Sequence, residues 1–346
     1  MSISETTSAE VVLREHRTDV TQVPSGLLEV RDASRGQLGD GDVLVQNIFQ
    51  QIVAVNADLL FAEPGLPLPA FEIGKPLYGP AIGRVVESRS NIAVGTVVQH
   101  NHGWRELTTV ASSEVFPVPD GLFPGPEYML NQGVTAFHGL VDVAEVAAGD
   151  VVLVSGAAGG VGSMAGQIAK ARGAALVIGV AGGPDKCRYL TEELGFDAAI
   201  DYKNDDLDAR LGELAPEGIT VFFDTIGGTQ FETAVQHAAF GARFALCGAL
   251  AGQIGGGNGG HPRLDVMTAI VKEIRILPFT TMHTPEQVQA WIGHYIEWFA
   301  QGKITFSHTI LEGPLDRTIS ALDELLTGEH RGNVIVKLDG RGPHRS

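Results

Sequence analysis

The chain has 346 residues and carries 41 acidic against 24 basic side chains, a formal charge of −17. An acidic surface repels phosphate backbones and anionic membranes, and no Lys/Arg cluster reverses it locally, so no nucleic-acid or membrane partner is expected. At about 100–200 residues per domain the length implies two domains with real cores, and an apolar content of 44% excludes global disorder.

In chain order, the opening MSISETTSAE is polar and lacks an apolar h-region, so no signal peptide is expected. Residues 1–125 read as strand- and turn-rich, with short β-like runs at Val43–Val45, Ile82–Val86 and Val94–Val98 between Gly, Pro, Asp and Asn. Four prolines and two glycines between Phe116 and Pro126 suggest the crossing between domains. The expected division is 1–126, 127–300, and a segment 301–346 that returns to the first domain.

After the crossing the pattern changes. Val151–Ser155, Leu176–Val180, Thr220–Asp224 and Phe244–Cys247 are short apolar strands suited to a parallel sheet covered on both faces. Between the first two, Ser163–Arg172 has helical spacing (Ala165, Ile168, Ala169, Arg172) and Gly173 as its stop. This is a strand–helix–strand unit of about 30 residues, the size of a βαβ crossover. Residues 252–260 read as a mobile Gly-rich loop. Thr284 and Pro285 open a helix to residue 301 with Val288, Trp291, Ile292 and Tyr295 on one stripe. A helix near Leu315–Leu326 leads to a last strand, Asn333–Leu338, which lies outside the alternation, and the tail GRGPHRS is expected to be disordered. No run approaches the ~18–20 apolar residues needed to span a bilayer. Two cysteines, Cys187 and Cys247, form no CxxC pair, which fits a reducing, cytoplasmic setting.

The strand VVLVS runs into Gly156-Ala-Ala158-Gly159-Gly160-Val161-Gly162, and a helix follows. Glycines let the chain turn tightly and bring its backbone close to a pyrophosphate, which the helix N-terminus attracts. A glycine pattern alone is weak in a chain with 44 glycines; the strand before it and the helix after it make it a dinucleotide fingerprint. The end of the second strand distinguishes the cofactors. An NAD site places an acid there for the ribose; here Val180-Ala-Gly182-Gly183-Pro-Asp185-Lys186 has a small neutral tip with a cation behind it. That suits a 2′-phosphate held by backbone amides and Lys186, with Tyr202 closing the pocket. Asp185 argues the other way, because an acid also serves NAD, and Lys186 and Tyr202 have bland readings as a solvated lysine and a packed aromatic.

These residues carry a resemblance. VSGAAGGVGSMAGQIAKARGA, GVAGGPDKCRYLTEELGFDAAIDYKN, FFDTIGG and FALCGAL resemble the medium-chain dehydrogenase/reductase superfamily, and within it the zinc-free prostaglandin reductase (leukotriene hydroxydehydrogenase) branch of alkenal and enone reductases. IGRVVES, VGTVVQHNHGWREL and GVTAFHGL fit the same branch, and the likeness runs from about residue 25 to 338. The resemblance implies an α/β fold: a Rossmann doubly wound parallel sheet plus a GroES-like β-rich domain, usually as a homodimer. It implies hydride transfer from NADPH to the β carbon of an α,β-unsaturated carbonyl, with a proton reaching the α carbon. Gly159, Gly162, Lys186 and Tyr202 match cofactor contacts, Thr135 matches the nicotinamide side, and Cys247 and Gly248 match backbone contacts. Asn131, Gly156, Ala158, Gly160, Val161, Gly182, Ile226, Phe279 and Asn333 complete the expected cofactor set.

Alcohol dehydrogenases of the superfamily hold catalytic zinc through Cys, His and Cys. Alignment with those motifs puts Val55, Gly79 and Asn131 at the ligand positions, none a good zinc ligand, so no metal is expected. His100 and His102 share a strand face without a third partner. Without zinc, reduction of an activated C=C is easier to support than alcohol oxidation, since it requires geometry and a donor to the developing enolate oxygen.

The chain also departs from the branch. Ile254 stands near where a substrate-side tyrosine is usual, Val55-Asn56-Ala-Asp58-Leu replaces a VDPYM-like run, and Gly328-Glu-His330-Arg-Gly-Asn333 replaces a GxNxGK-like segment. Tyr78 is then a candidate donor to an enolate, or a packed aromatic; Asp58 a candidate anchor for a polar or cationic group, or a turn acid. Asn56 and Asn131 are neutral donors for substrate or nicotinamide, His138 and His283 read as structural, and water or the cofactor ribose needs no side chain to supply a proton. Three functions follow: an NADPH-dependent enone reductase, a quinone reductase, or an NADPH-binding protein without catalysis.

Overall fold

A computed structural model describes residues 7–34, 37–255 and 261–339. The chain forms two units: residues 131–307, and residues 1–130 together with 308–346.

In the first of these there are six strands, whose apolar side chains are mostly buried except in the last: β8 (Val151–Val154), β9 (Leu176–Ala181), β10 (Ala198–Asp201), β11 (Ile219–Asp224), β12 (Ala238–Leu246) and the half-buried β13 (Arg275–Pro278). All neighbours pair in parallel, in the order β10-β9-β8-β11-β12-β13. The order reverses between β8 and β11, the switch point outside whose carboxyl ends open α/β sheets bind ligands. The helix between β8 and β9 spans Gly160–Ala171 and buries Met164, Ala165, Ile168 and Ala169. It starts three residues before the expected Ser163, because the glycine turn supplies its first turn. Gly173, at φ +89°, ends it as expected. The helix Pro285–Ala300 carries a complete capping box, Thr284 with Gln287. Trp291, Tyr295 and Trp298 form its buried stripe. The expected Val288 and Ile292 are not among the buried residues: Ile292 is half-buried and Val288 is 37% exposed.

The other unit is built on the 11-residue strand β3 (Asp42–Ile52). A hairpin of β1 (Thr7–Leu13) and β2 (Leu28–Ser34) stands apart; β4 (Ala81–Ser88), β5 (Val97–His100) and β7 (Phe116–Pro117) follow β3 in the main sheet, and β6 (Leu107–Ala111) pairs with β3. The final strand β15 (Asn333–Leu338) adds antiparallel to β3 through Val334–Lys337, and β14 (His308–Gly313) adds parallel to β15. The late strand therefore returns to the N-terminal sheet. Its core gathers Leu13, Leu60, Leu77, Trp104, Leu322 and Val336, from both ends of the chain.

The unit boundaries lie beyond residues 126 and 300. Gln51 Nε2 donates to the Leu130 carbonyl at 2.8 Å, which ties residues up to 130 to the β-rich unit. Thr305 N donates to Gln167 Oε1 at 2.7 Å, and the Tyr189 hydroxyl donates to Ser307 Oγ at 2.5 Å, which holds 301–307 on the parallel-sheet unit. Part of the Gly-rich run forms the short helix Leu250–Gln253; residues 256–260 and the tail 340–346 lie outside the described residues.

Helix packing inside the βαβ unit generates a stability prediction. A Cβ on Gly166 would stand 1.9 Å from the buried Phe196 ring. Gly166→Ala gains about 1 kcal/mol of helix propensity but forces an overpacked contact costing about 1–3 kcal/mol. The urea midpoint is expected to fall; a rise would mean that the ring yields without cost.

Candidate functional site

At the end of β8 the chain turns through Gly156 at φ +55°, a conformation costly for a side chain. Ala157 N donates to the Val180 carbonyl at 3.0 Å, and Gly159 N to the Gly156 carbonyl at 3.0 Å, so the turn is tethered to β9 and closed on itself. A Cβ on Gly162 would lie 2.4 Å from the Gly156 oxygen, so only glycine lets the helix begin this close. Ala158 and Gly162 are buried, Gly160 and Val161 half-buried, and Gly159 exposed. The N-cap, Gly159, has no side chain to cap the helix, which leaves the helix's first N–H groups and partial positive charge for an anion.

A carboxylate hidden beneath this turn holds it. Asp224 Oδ1, at the end of β11, accepts from Ser155 Oγ at 2.6 Å and from Ile226 N and Gly227 N at 3.0 Å each. Ser155 Oγ in turn accepts from Thr225 N at 2.8 Å. Burial pushes the Asp224 carboxyl above the usual range, and the donors from Gly227, Ser155 and Ile226 oppose that shift. Sequence reading missed this hub; the available signal was a Ser and an Asp each ending an apolar strand.

At the tip of β9, Gly183 takes φ +95° just before Pro184. Its N–H donates to Asp201 Oδ1 at 2.8 Å, and the same carboxylate accepts from Lys203 N at 3.1 Å and Asn204 Nδ2 at 2.7 Å. Burial would raise the Asp201 carboxyl, but these donors and the Lys203 charge together hold it below its ordinary value. Asp185 pairs with Arg188, one turn on, and both side chains are exposed. Lys186 is half-buried on the helix that Pro184 opens, and Tyr202 is 48% exposed. A Cβ on Gly182 would meet Lys203 Cε at 2.9 Å and the Tyr202 ring at 3.0 Å. Gly182, Tyr202 and Lys203 are thus brought together. Lys203 was not among the expected residues, although its place directly after Tyr202 marks it.

The remaining candidates of this unit gather at the carboxyl ends of β11, β12 and β13. The Ile226 side chain packs over Gly156. Cys247 N and Gly248 N donate to the Asp224 carbonyl at 2.8 and 3.2 Å, so their N–H groups are engaged in the fold. Burial first, and the Asp224 charge second, push the Cys247 thiol up to about 12, which leaves it no nucleophile. Phe279 packs on Phe223 and stands edge-on to His138 at 5.5 Å. Asn131 Oδ1 accepts from Gly133 N at 3.0 Å and from Trp291 Nε1 at 2.9 Å, and so locks the start of the helix Gly133–Phe137. Thr135 is buried, with Oγ1 at 2.9 Å from His283 Nε2. These residues fit a phosphorylated dinucleotide: a cradle that only glycine permits, an uncapped helix start, and a neutral strand tip beside two lysines.

The expected substrate-side residues lie in the β-rich unit, each with local partners. The Tyr78 hydroxyl donates to the Pro69 carbonyl at 2.6 Å, and its ring stands edge-on to Phe71 at 4.9 Å. Asn56 is buried and its Oδ1 accepts from Val53 N at 3.1 Å. Asp58 lies near the buried Arg17, where burial lowers the guanidinium pKa and Asp58 is the foremost opposing charge. Asn333, at the start of β15, is buried and accepts from Gln51 Nε2 at 3.0 Å. Burial holds the His100 imidazole down to about 3, and His102 pairs with Glu114 at 2.6 Å. Among the described residues, no three His, Cys, Asp or Glu side chains are grouped as metal ligands.

Residues 10–118 match the family model described as the N-terminal domain of oxidoreductase, and residues 160–300 that of zinc-binding dehydrogenase. The chain is 33% identical over 273 residues to the putative NADP-dependent oxidoreductase YfmJ of Bacillus subtilis, spanning 78% of this chain and 80% of that one. It is 32% identical over 322 residues to prostaglandin reductase 1 of Bos taurus, across 89% and 93% of the two chains. The structure of CurA from Vibrio vulnificus in complex with NADPH superposes with a TM-score of 0.87 at 25% identity, covering 96% of this chain and all of that one.

The buried hub predicts its own failure. Asp224→Ala strands the Ser155 hydroxyl and two backbone N–H groups, so unfolding free energy should drop by about 2–4 kcal/mol, and Asp224→Asn, which keeps an acceptor, should lose less. Equal losses in denaturant titrations would show that the charge matters more than the acceptor geometry.

Proposed function

Because the chain belongs to the medium-chain dehydrogenase/reductase superfamily, in its prostaglandin reductase branch, we propose that it reduces the activated C=C bond of an α,β-unsaturated carbonyl. It is an NADPH-dependent oxidoreductase. The observation that carries the cofactor is the Gly156–Gly162 turn running into an uncapped helix, beside a β9 tip with no acid and with Lys186 and Lys203 close by.

NADPH supplies the hydride. We assign the N–H groups at Gly160, Val161 and Gly162 to its pyrophosphate, with Gly159, whose own N–H closes the turn, giving it room to approach. Lys186, Lys203, Tyr202 and Gly182 are assigned to the 2′-phosphate. Thr135, Asn131, Ile226, Cys247, Gly248 and Phe279 are assigned to the nicotinamide end, and Asn333 to a further polar contact. On the substrate side, Tyr78, Asn56 and Asp58 are the assigned residues; since the Tyr78 hydroxyl donates to the Pro69 carbonyl, water is the proton source we propose. Val55, Gly79 and Asn131 offer no strong zinc ligand, which supports catalysis without zinc.

The test is NADPH oxidation at 340 nm, with NADH in parallel, against enals, enones and quinones, with and without a chelator. Enone turnover that prefers NADPH and survives the chelator is the expected result. Quinone turnover alone would replace the substrate class, and binding without turnover would replace catalysis. Lys186→Ala should raise the KM for NADPH by about 10–100-fold and leave that for NADH nearly unchanged; equal effects would remove Lys186 from the 2′-phosphate. Two free, separated cysteines support a reducing, cytoplasmic setting.

We also propose a homodimer through the parallel sheet. β13 pairs with β12 alone among the described residues, and the helix before it, Val266–Val271, exposes Val266, Met267, Ile270 and Val271. Phe240 is 72% exposed in the neighbouring strand, whose Gly241 N donates to the Lys272 carbonyl at 2.7 Å beside that helix. An apolar edge of this kind is covered by association. Sedimentation should give a dimer, and Ile270→Asp a monomer of unchanged fold; a monomeric parent chain would refute it.

A further inference from the structure

We propose that His283 is a positioning residue that makes Thr135 a hydrogen-bond donor, aimed at a carbonyl oxygen of the bound cofactor or substrate. The proposal rests on the reductase reading above.

Thr135 lies on the short helix Gly133–Phe137, which packs against the helix Gly160–Ala171 that begins at the glycine turn. His283 follows β13 in the run Phe279–Thr284, at the carboxyl end of the sheet. Its Nε2 is 2.9 Å from Thr135 Oγ1, and its Nδ1 is buried with no partner among the described residues. Burial, and then the neighbouring His138, hold the imidazole below its ordinary range against a pull from Gln287, so the ring is neutral at pH 7 and carries one N–H.

The place of that proton follows from the partners. On Nδ1 it would meet no acceptor in hydrogen-bond geometry among the described residues, since the Gln287 amide that pulls on the ring already spends its Oε1 on Thr284 N at 2.9 Å, and folded proteins rarely tolerate so poorly satisfied a buried donor. On Nε2 it donates to Thr135 Oγ1 and leaves only a lone pair unmatched. The Thr135 hydroxyl proton is then directed to an acceptor outside the pair. The donor is also held still. His138 stands edge-on to His283, with ring centres 5.7 Å apart, and its Nδ1 donates to Asp142 Oδ2 at 2.9 Å. A fixed donor suits a carbonyl oxygen that gains charge as the double bond is reduced, and equally the carboxamide oxygen of a nicotinamide.

Two measurements test it. Long-range 15N–1H correlation at pH 7 should show the Nε2–H tautomer for His283 in the cofactor-free protein; the Nδ1–H tautomer overturns the proposal whatever the enzyme reduces. His283→Phe and Thr135→Val should each cost about tenfold, the scale of one hydrogen bond, with melting little changed. The double variant should lose no more than Thr135→Val alone, and His283→Gln, which returns an N–H at the same reach, should recover most of the loss. Weaker NADPH binding by fluorescence would identify the carboxamide as the acceptor; unchanged binding with a lower kcat/KM for the enone would identify the substrate carbonyl. Additive losses, or His283→Phe at parental values in both assays, overturn it. Failure to bind NADPH in the parent chain would instead sink the reductase reading.

Discussion

The buried Asp224 carboxylate joins the two turns that flank the reversal of strand order. Through Ser155 it grips the end of β8, and through Ile226 and Gly227 it grips the end of β11. Both turns are rich in glycine and would be soft alone. Linked through one buried acceptor, they become a rigid base on which the amides at the start of the helix Gly160–Ala171 keep a fixed direction. Such preorganisation gives a helix terminus its selectivity for an anion of given shape.

A chain of net charge −17 has to keep its own acids away from any phosphate it binds. It does so by pairing. Asp201 is enclosed by donors from Gly183, Lys203 and Asn204, and Asp185 is drawn to Arg188. Around Gly182 the Lys203 and Lys186 charges stand beside the Asp201 carboxylate, which is turned to the Gly183 and Lys203 N–H groups, although the surface at large is acidic. Net charge sets long-range attraction, whereas the charges nearest a bound group set its local field.

The same logic separates the candidate chemistry of the two units. In the β-rich unit the phenol of Tyr78, the amide oxygen of Asn56 and the side chain of Asn333 all serve neighbouring groups. In the parallel-sheet unit, the Thr135–His283 pair retains hydrogen-bonding capacity that the fold does not consume. An imidazole that sequence reading treats as structural becomes a candidate for function once its partner and its buried unmatched nitrogen are seen together.

Much was legible in the sequence alone. Short apolar strands, a glycine turn between strand and helix, and a neutral tip on the second strand are local patterns, and the parallel sheet and NADPH as the cofactor follow from them because strand burial and anion binding depend on near neighbours along the chain. The late strand Asn333–Leu338 was legible as a return by exclusion from the alternation. What only the tertiary structure decided is set by contacts between distant residues: Ser155 with Asp224, Gly182 with Lys203, Thr135 with His283, and the boundaries at 130 and 307 fixed by Gln51 and Gln167. No periodicity announces such pairs, because a hydrogen bond between two strand ends depends on register and turn geometry, which composition does not encode.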